Sequence, residues 1–204
     1  MLLEISDHCL KEAVQTPSPN CDARAGQGGA ERAGRQKGPY NDDRHGAQAV
    51  SLIVIHNITL PASHFGGQFV DELFCNRLAI DSHPDFVELV ELKVSAHLLI
   101  RRGGELVQFV PFHRRAWHAG LSSYNGEENC NDFSIGIELE GTDNYPYNPV
   151  QYRVLCSVCR SLIEEYENLN YDNIVGHSDI APGRKTDPGP SFDWDLFRRL
   201  LRDS

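Results

Sequence analysis

The chain has 204 residues, of which 40% are hydrophobic and 24% are charged, and its formal net charge is −10. This length suffices for one sizeable core but is short for two, so we expect a single domain over residues 1–204. The acidic balance argues against nucleic-acid binding, which normally requires a basic face. No stretch approaches the roughly 18 apolar residues of a membrane span, so no membrane partner is expected.

The cysteines and the N-terminus bear on the compartment. The N-terminal stretch MLLEISDHCLKEAV lacks the basic start and long apolar run of a signal peptide. We therefore expect a soluble, reduced, cytoplasmic protein, with a monomer as the default. Cys156 and Cys159 form a CxxC inside a helical pattern, which favours helix packing over a redox or metal role. Six cysteines occur without the spacing of a disulfide framework: Cys9, Cys21, Cys75, Cys130, Cys156 and Cys159.

The N-terminal quarter predicts one short helix and one long loop. The stretch ISDHCLKEAV can form a helix with Ser6 or Asp7 as its cap. Residues 23–46 are rich in Gly, Arg and Asp and have no apolar period, which predicts a flexible loop. Too little chain precedes this loop for it to link two domains.

The central part of the chain alternates predicted strands with a helix. AVSLIVIHN is a continuous aliphatic run that predicts a buried strand ending at His56. GGQFVDELFCNRL has apolar residues at helical spacing. VSAHLLIRRGGELVQFVP predicts two strands that form a hairpin at Gly103 and Gly104.

The C-terminal part predicts two strands and two helices. DFSIGIELEG alternates between apolar and polar residues, as a strand does. NPVQYRVLCSVCRSLIEEYENL predicts a helix with Asn148 as cap, Pro149 at the first position and Gln151 completing a capping box. NIVGH predicts a short strand and DWDLFRRLLRDS a closing helix. Interleaved strands and helices together with a hairpin predict an α/β fold, a single domain with a mixed central β-sheet flanked by helices.

Two histidines are candidate metal ligands. His56 and His177 each follow a predicted strand, and functional groups of α/β sheets gather at such ends. Two imidazoles and one carboxylate leave the fourth position of a zinc ion open for water. Asp179 and Asp187 are both candidates for the carboxylate. The alternative is that each histidine is a hydrogen-bonded structural residue.

The stretch RKTDP adds a cation to this candidate site. Pro182, Pro188 and Pro190 exclude a helix through most of the surrounding segment. If the stretch is extended, Lys185 and Asp187 project to the same side. A surface ion pair is one interpretation. The other is that Asp187 holds a metal while Lys185 stabilises a developing oxyanion.

Glu138 and Glu140 share the polar face of a predicted strand whose other face is apolar. Either carboxylate is a candidate for the general base that takes a proton from water. Plain solvent exposure is the alternative. The alternation of the strand does not distinguish the two glutamates.

Five motifs, in this order, resemble the zinc N-acetylmuramoyl-L-alanine amidases of the type-2 amidase/peptidoglycan-recognition fold: VIHN, VSAH, RRAWHAG, NDFSIGIELEG and GHSDIAPGRKTDPGPSFDW. The resemblance runs from about residue 50 to the C-terminus. It implies zinc-dependent hydrolysis of the amide between (anhydro-)N-acetylmuramic acid and L-alanine of muropeptides, in peptidoglycan recycling. The alternatives are a non-catalytic peptidoglycan-recognition module and a lytic amidase that acts on intact cell wall.

The resemblance also implies individual roles. By the family's pattern the zinc ligands are His56, His177 and Asp187, the acidic catalytic residue is Glu138, and the cationic stabiliser is Lys185.

Further residues match the family's cleft. Asn57, Trp117 and His118 are candidates to line the substrate groove, and Lys93 is a candidate to receive a peptide carboxylate. Core packing is the alternative for Trp117. We expect His97, within a strand, to support the site structurally rather than to bind metal.

Overall fold

The computed structural model describes residues 2–23, 50–89 and 91–203. Of the loop predicted at residues 23–46, all but residue 23 lies outside these ranges. Three short 3₁₀ helices occur in the described chain: Ile80–Ser82, Pro84–Leu89 and Cys130–Asp132. The strands are β1 Ile5–Ser6, β2 Cys9–Leu10, β3 Val14–Gln15, β4 Cys21–Ala23, β5 Leu52–Ile58, β6 Leu98–Ile100, β7 Leu106–Gln108, β8 Arg114–Ala116, β9 Ser123–Tyr124, β10 Glu127–Glu128, β11 Ser134–Glu140 and β12 Ile174–Gly176. The α-helices are α1 Phe69–Phe74, α2 Pro149–Glu165, α3 His177–Ile180 and α4 Trp194–Arg202.

A six-stranded sheet forms the centre of the molecule, with the strand order β12-β5-β11-β6-β7-β3. Strands β12, β5, β11 and β6 are parallel to one another, whereas β6 and β7 form the antiparallel hairpin predicted at Gly103 and Gly104. The mixed sheet expected from the sequence is therefore confirmed. The parallel strands are covered on both faces, which explains the continuous aliphatic run of β5.

Helices cover both faces of this sheet. On one face, Ile135 and Ile137 of β11 belong to the same buried cluster as Leu155 of α2 and Phe197 of α4. On the other face, α1 packs in a second cluster that includes Leu99 of β6. Since side chains alternate along a strand, the polar residues of β11 lie on the face opposite α2. The described part of the chain contains no helix long and apolar enough to span a bilayer.

The helix predicted in ISDHCLKEAV is wrong. This stretch forms the antiparallel pair β1–β2, in which Ile5 lies opposite Leu10. Asp7 and His8 form the turn with φ of 50° and 61°, the left-handed conformation that tight hairpin turns require. Leu10 is fully buried and its N–H donates to Gln108 Oε1 at 2.8 Å, so tertiary contacts override the local helical preference.

Helix α2 begins at Pro149, as predicted, and buries both Cys156 and Cys159. Burial raises the pKa of the Cys156 thiol to about 11 and that of Cys159 well above its usual value. Thiols in this state are poorly reactive, because the thiolate is the nucleophile and the metal ligand. Both cysteines lie in the buried cluster under α2, which confirms their packing role.

Gln151 connects the start of α2 to the ends of two strands. Its Oε1 accepts the N–H of Asn148 at 3.0 Å, which is part of the predicted capping box. Its Nε2 donates to the carbonyl oxygens of Ile100 at 3.2 Å and Glu140 at 3.1 Å. This fully buried amide thus satisfies three backbone groups where α2 meets β6 and β11.

We expect Gln151→Ala to lower the free energy of unfolding by about 1–3 kcal/mol, because buried backbone groups lose their partners. Ser157→Ala on the same helix is the control. Its exposed hydroxyl bonds only within the helix, so its cost should stay within about 0.5 kcal/mol. Denaturant unfolding measures both, and equal costs for the two variants would contradict this role of Gln151.

Candidate metal centre and active site

Neighbouring strands bring the predicted site residues together. His56 of β5 and Glu138 of β11 are paired in the parallel register, so their side chains project from the same face of the sheet. His177 follows β12, the other neighbour of β5, and begins the one-turn helix α3. Asp187 lies in the loop between α3 and α4. Residues far apart in the sequence therefore converge beside the middle strand β5.

The three predicted ligands converge on a single point. Nδ1 of His56, Nδ1 of His177 and Oδ2 of Asp187 lie 3.0 Å from one another. The histidine side chains are 1% and 3% exposed and that of Asp187 is 14% exposed. Zinc binds imidazole nitrogen and carboxylate oxygen at about 2.0–2.2 Å, so atoms with these separations can hold the same ion. The geometry fits a metal centre of two nitrogens and one oxygen.

The second ring nitrogen of each histidine contacts protein. His177 Nε2 lies 3.0 Å from the carbonyl oxygen of Ala119, and His56 Nε2 lies 2.9 Å from Nδ1 of His118. A carbonyl oxygen only accepts, so neutral His177 carries its proton on Nε2 and its Nδ1 lone pair faces the site. Metal-binding histidines usually have such a partner, which fixes the tautomer and the ring plane.

The protonation of the candidate ligands suits a cation. Burial lowers the pKa of His56 to about 4, with a smaller contribution from His177, although Asp187 opposes the shift. Burial alone would raise the pKa of Asp187, but the two adjacent histidines hold it well below its usual range. His56 is therefore neutral and Asp187 ionised at neutral pH, as metal ligation requires.

Glu138 has the surroundings of a catalytic acid or base. The residue is only 8% exposed, which rules out the plain solvent exposure considered for this strand. No described residue donates a hydrogen bond to its Oε2. Burial, and secondly the charge of Asp187, raise the pKa of Glu138 well above its usual value, while Lys185 opposes the shift. A buried, unsatisfied carboxyl group in a cavity is costly and typical of a functional site.

The two carboxylates that the sequence left as alternatives have other contacts. Glu140 accepts the backbone N–H groups of Gly66 at 2.5 Å and Arg102 at 3.0 Å, joining two loops to the end of β11. Asp179 accepts the N–H of Gly176 at 2.7 Å and so stabilises the start of α3. Both side chains have structural contacts, and neither belongs to the cluster of potential metal ligands among the described residues.

Lys185 follows a turn that begins at Ala181. Its N–H donates to the carbonyl of Ala181 at 3.1 Å, and the carbonyl of Asp187 accepts the N–H of Ser178 at 3.0 Å. These bonds fix the segment against α3. Lys185 and Asp187 border the same cavity, as the sequence led us to expect.

A cavity of about 860 Å³ lies over the site. Two predicted substrate-binding residues on the cavity wall contact other side chains. The amide of Asn57 donates to Asp143 Oδ1 at 2.8 Å. Trp117 is half-buried, and the guanidinium of Arg115 lies 4.6 Å from the centre of its ring. Lys93 is exposed. All nine predicted site residues line the cavity: His56, Asn57, Lys93, Trp117, His118, Glu138, His177, Lys185 and Asp187.

Sequence reasoning missed several residues of this cavity. One wall is apolar and includes Leu60 from the loop after β5, Leu73 of α1 and Leu92 from the segment between α1 and β6. Arg184 donates from Nη2 to the carbonyl oxygens of Ala119 at 2.6 Å and Leu121 at 2.7 Å, and thereby fixes the rim beside His177. Its position next to Lys185 in the GRKTDPG motif was the available signal.

Residues 46–190 match the N-acetylmuramoyl-L-alanine amidase family, and the chain belongs to it. It is 55% identical over 169 residues to the 1,6-anhydro-N-acetylmuramyl-L-alanine amidase AmpD of Salmonella typhimurium (strain SL1344), covering 83% of this chain and 90% of that protein. Its identity to AmpD of Escherichia coli (strain K12) is 53%, over 86% of this chain and 95% of the relative.

Solved structures agree with this assignment. A crystal structure of a selenomethionine AmpD derivative superimposes with a TM-score of 0.85 at 47% identity, covering 98% of this chain and 99% of that one. The amidase AmiD from E. coli, solved with the substrate anhydro-N-acetylmuramic acid-L-Ala-D-γ-Glu-L-Lys, gives a TM-score of 0.55 at 28% identity. That match covers 89% of this chain and 65% of AmiD.

We expect Glu138→Gln to stabilise the metal-free protein increasingly as the pH rises. The pKa of Glu138 is raised in the folded state, so above about pH 4.3, where the unfolded chain loses this proton, the contribution of Glu138 to the free energy of unfolding falls with pH. The neutral amide removes this loss. Thermal midpoints of chelator-treated protein between about pH 4 and pH 8 measure the difference.

Glu140→Gln is the matched control. Its carboxylate accepts two backbone N–H groups, so the amide should destabilise the fold instead. A stability difference between wild type and Glu138→Gln that is the same at both ends of the pH range would contradict the prediction.

Proposed function

We propose that this protein is a zinc-dependent amidase that cleaves the bond between the lactyl group of anhydro-N-acetylmuramic acid and L-alanine in muropeptides, in peptidoglycan recycling. The observation that carries the proposal is the triad of His56, His177 and Asp187 beside Glu138 and Lys185 in one cavity. The names of its relatives and the substrate bound to AmiD support the choice of bond and sugar.

The donor set favours zinc. Two imidazole nitrogens and one carboxylate oxygen leave a position open for reaction, and this combination is common in catalytic zinc sites. If both histidines are neutral, three lone pairs face one another at 3.0 Å, an arrangement that a shared cation stabilises. When bound, a zinc ion polarises the scissile carbonyl and lowers the pKa of a coordinated water to about 7.

The remaining chemistry belongs to two side chains. Glu138 takes the proton of the attacking water and transfers it to the nitrogen of the leaving L-alanine. Burial raises the pKa of Glu138, which makes its carboxylate a stronger proton acceptor than that of an exposed glutamate. The ammonium of Lys185 stabilises the oxyanion of the tetrahedral intermediate, an interaction worth about 3 kcal/mol in comparable sites.

The outer cavity accommodates the rest of the substrate. Lys93 is exposed on the cavity wall and can bind a stem-peptide carboxylate. Asn57 and half-buried Trp117 border the site and are candidates for contacts with the sugar or the peptide backbone. His118 lines the cavity too, although both of its ring nitrogens contact protein atoms.

The proposal includes a monomeric single domain acting in the cytoplasm on a small soluble substrate. A non-catalytic recognition module and a lytic amidase acting on intact wall are the alternatives. The juxtaposition of a potential ligand triad with a buried general base favours catalysis over recognition alone. The net charge of −10 supports the absence of a nucleic-acid partner.

Product analysis by mass spectrometry tests the reaction. Purified protein should release free peptide from a defined anhydromuropeptide. This activity should be lost after treatment with a chelator and should return when zinc is added back. Intact sacculi should be turned over far more slowly. Asp187→Ala should lose bound zinc and activity together, because one ligand is gone. A fully active metal-free enzyme, or equal turnover of sacculi, would contradict the proposal.

Glu138→Gln and Lys185→Met should retain stoichiometric zinc and the fold but lose turnover. Loss of the general base should lower kcat about 10²–10⁴-fold, and loss of the ammonium about 10²–10³-fold. Steady-state kinetics with zinc analysis of each variant measures both effects. A change confined to KM in Lys185→Met would assign Lys185 to substrate binding instead.

A further inference from the structure

A chain of hydrogen bonds leads away from the candidate metal centre through His118. His118 Nδ1 lies 2.9 Å from His56 Nε2, and His118 Nε2 lies 3.2 Å from the hydroxyl oxygen of Ser134. That hydroxyl donates to the carbonyl oxygen of Cys130 at 2.5 Å. The chain therefore begins at a proposed metal ligand and ends at a backbone carbonyl.

The carbonyl end sets the direction of every link. Because the carbonyl oxygen of Cys130 only accepts, the hydroxyl of Ser134 donates to it and accepts from His118 Nε2–H. Neutral His118 then has a lone pair on Nδ1, which accepts the Nε2 proton of His56. The remaining lone pair of His56 is on Nδ1, the atom that lies 3.0 Å from Asp187 Oδ2. The chain thus selects the tautomer of His56 that can bind a metal.

The surroundings of His118 hold its ring in this position. A Cβ atom on Gly136 would lie 2.4 Å from His118 Cγ, so only glycine on this face of β11 leaves room for the ring. The N–H of His118 donates to Asn131 Oδ1 at 3.0 Å. The ring meets those of His56 and His97 edge-on, with centroids 5.0 Å and 5.7 Å away.

We propose that His118 is a positioning residue, which holds His56 in the orientation and tautomer that bind the metal, rather than a residue that recognises substrate. The inference rests on the proposed function, since it requires a metal at the triad. It assigns a role to Ser134 and Gly136 as well: Ser134 orients His118, and Gly136 makes room for it.

The matched pair His118→Leu and His118→Asn tests this role, because the two side chains have similar shape and only asparagine can accept from His56 Nε2. Zinc affinity, measured by competition with a chromophoric chelator, should fall about 10–100-fold in His118→Leu. The asparagine variant should retain most of the wild-type affinity. At saturating zinc the KM for the anhydromuropeptide should be close to that of wild type in both variants.

Two further variants sharpen the experiment. Ser134→Ala retains the His118 ring but removes the hydroxyl that contacts its Nε2, so zinc affinity should fall severalfold. This variant also tests the inference if His118→Leu does not fold. Lys93→Ala should show the opposite pattern, a higher KM with unchanged zinc affinity. Wild-type zinc affinity in His118→Leu, equal losses in the leucine and asparagine variants, or unchanged affinity in Ser134→Ala would overturn the inference alone. A wild-type protein that binds no zinc would overturn the proposed function with it.

Discussion

The convergence of three potential metal-binding atoms, from His56, His177 and Asp187, on one largely buried point is the constraint on which the rest of the structure depends. Nδ1 of His56, Nδ1 of His177 and Oδ2 of Asp187 lie 3.0 Å from one another, and if both histidines are neutral their lone pairs face one another. A flexible scaffold would relax such an arrangement. Here the first histidine is on the central strand of a parallel trio, and the second follows the neighbouring strand directly. The packed cores on both faces of the sheet hold these positions in place.

Much of the fold follows from local signals in the sequence. The aliphatic run of β5, the alternation of β11 and the capping residues of α2 each specify an element without reference to the rest of the chain. The N-terminal hairpin did not follow, because Leu10 is held by a contact with Gln108, almost a hundred residues away. Long-range burial of this kind leaves no periodic pattern in a segment of ten residues.

The residues of the site were predictable only in part, because local sequence patterns do not show which distant loops contact a side chain. Alternation assigns Glu138 and Glu140 to one face, but it does not report which loops cover each carboxylate. Two backbone N–H groups engage Glu140, whereas Glu138 remains without a donor in the described chain. The motif resemblance supplied the choice that periodicity lacked. The apolar wall of the cavity had no such motif and was missed.

The pairing of His56 with Glu138 across two parallel strands limits where insertions and deletions can occur in the sequence of this enzyme. One residue inserted into β5 or β11 would turn one of these side chains toward α2 and so separate the two groups. The exposed turn between β9 and β10 lies outside that register, and a Cβ atom added at Gly126 in this turn would meet no neighbour. Changes of chain length should therefore accumulate in such loops, while the relative positions of His56 and Glu138 stay fixed.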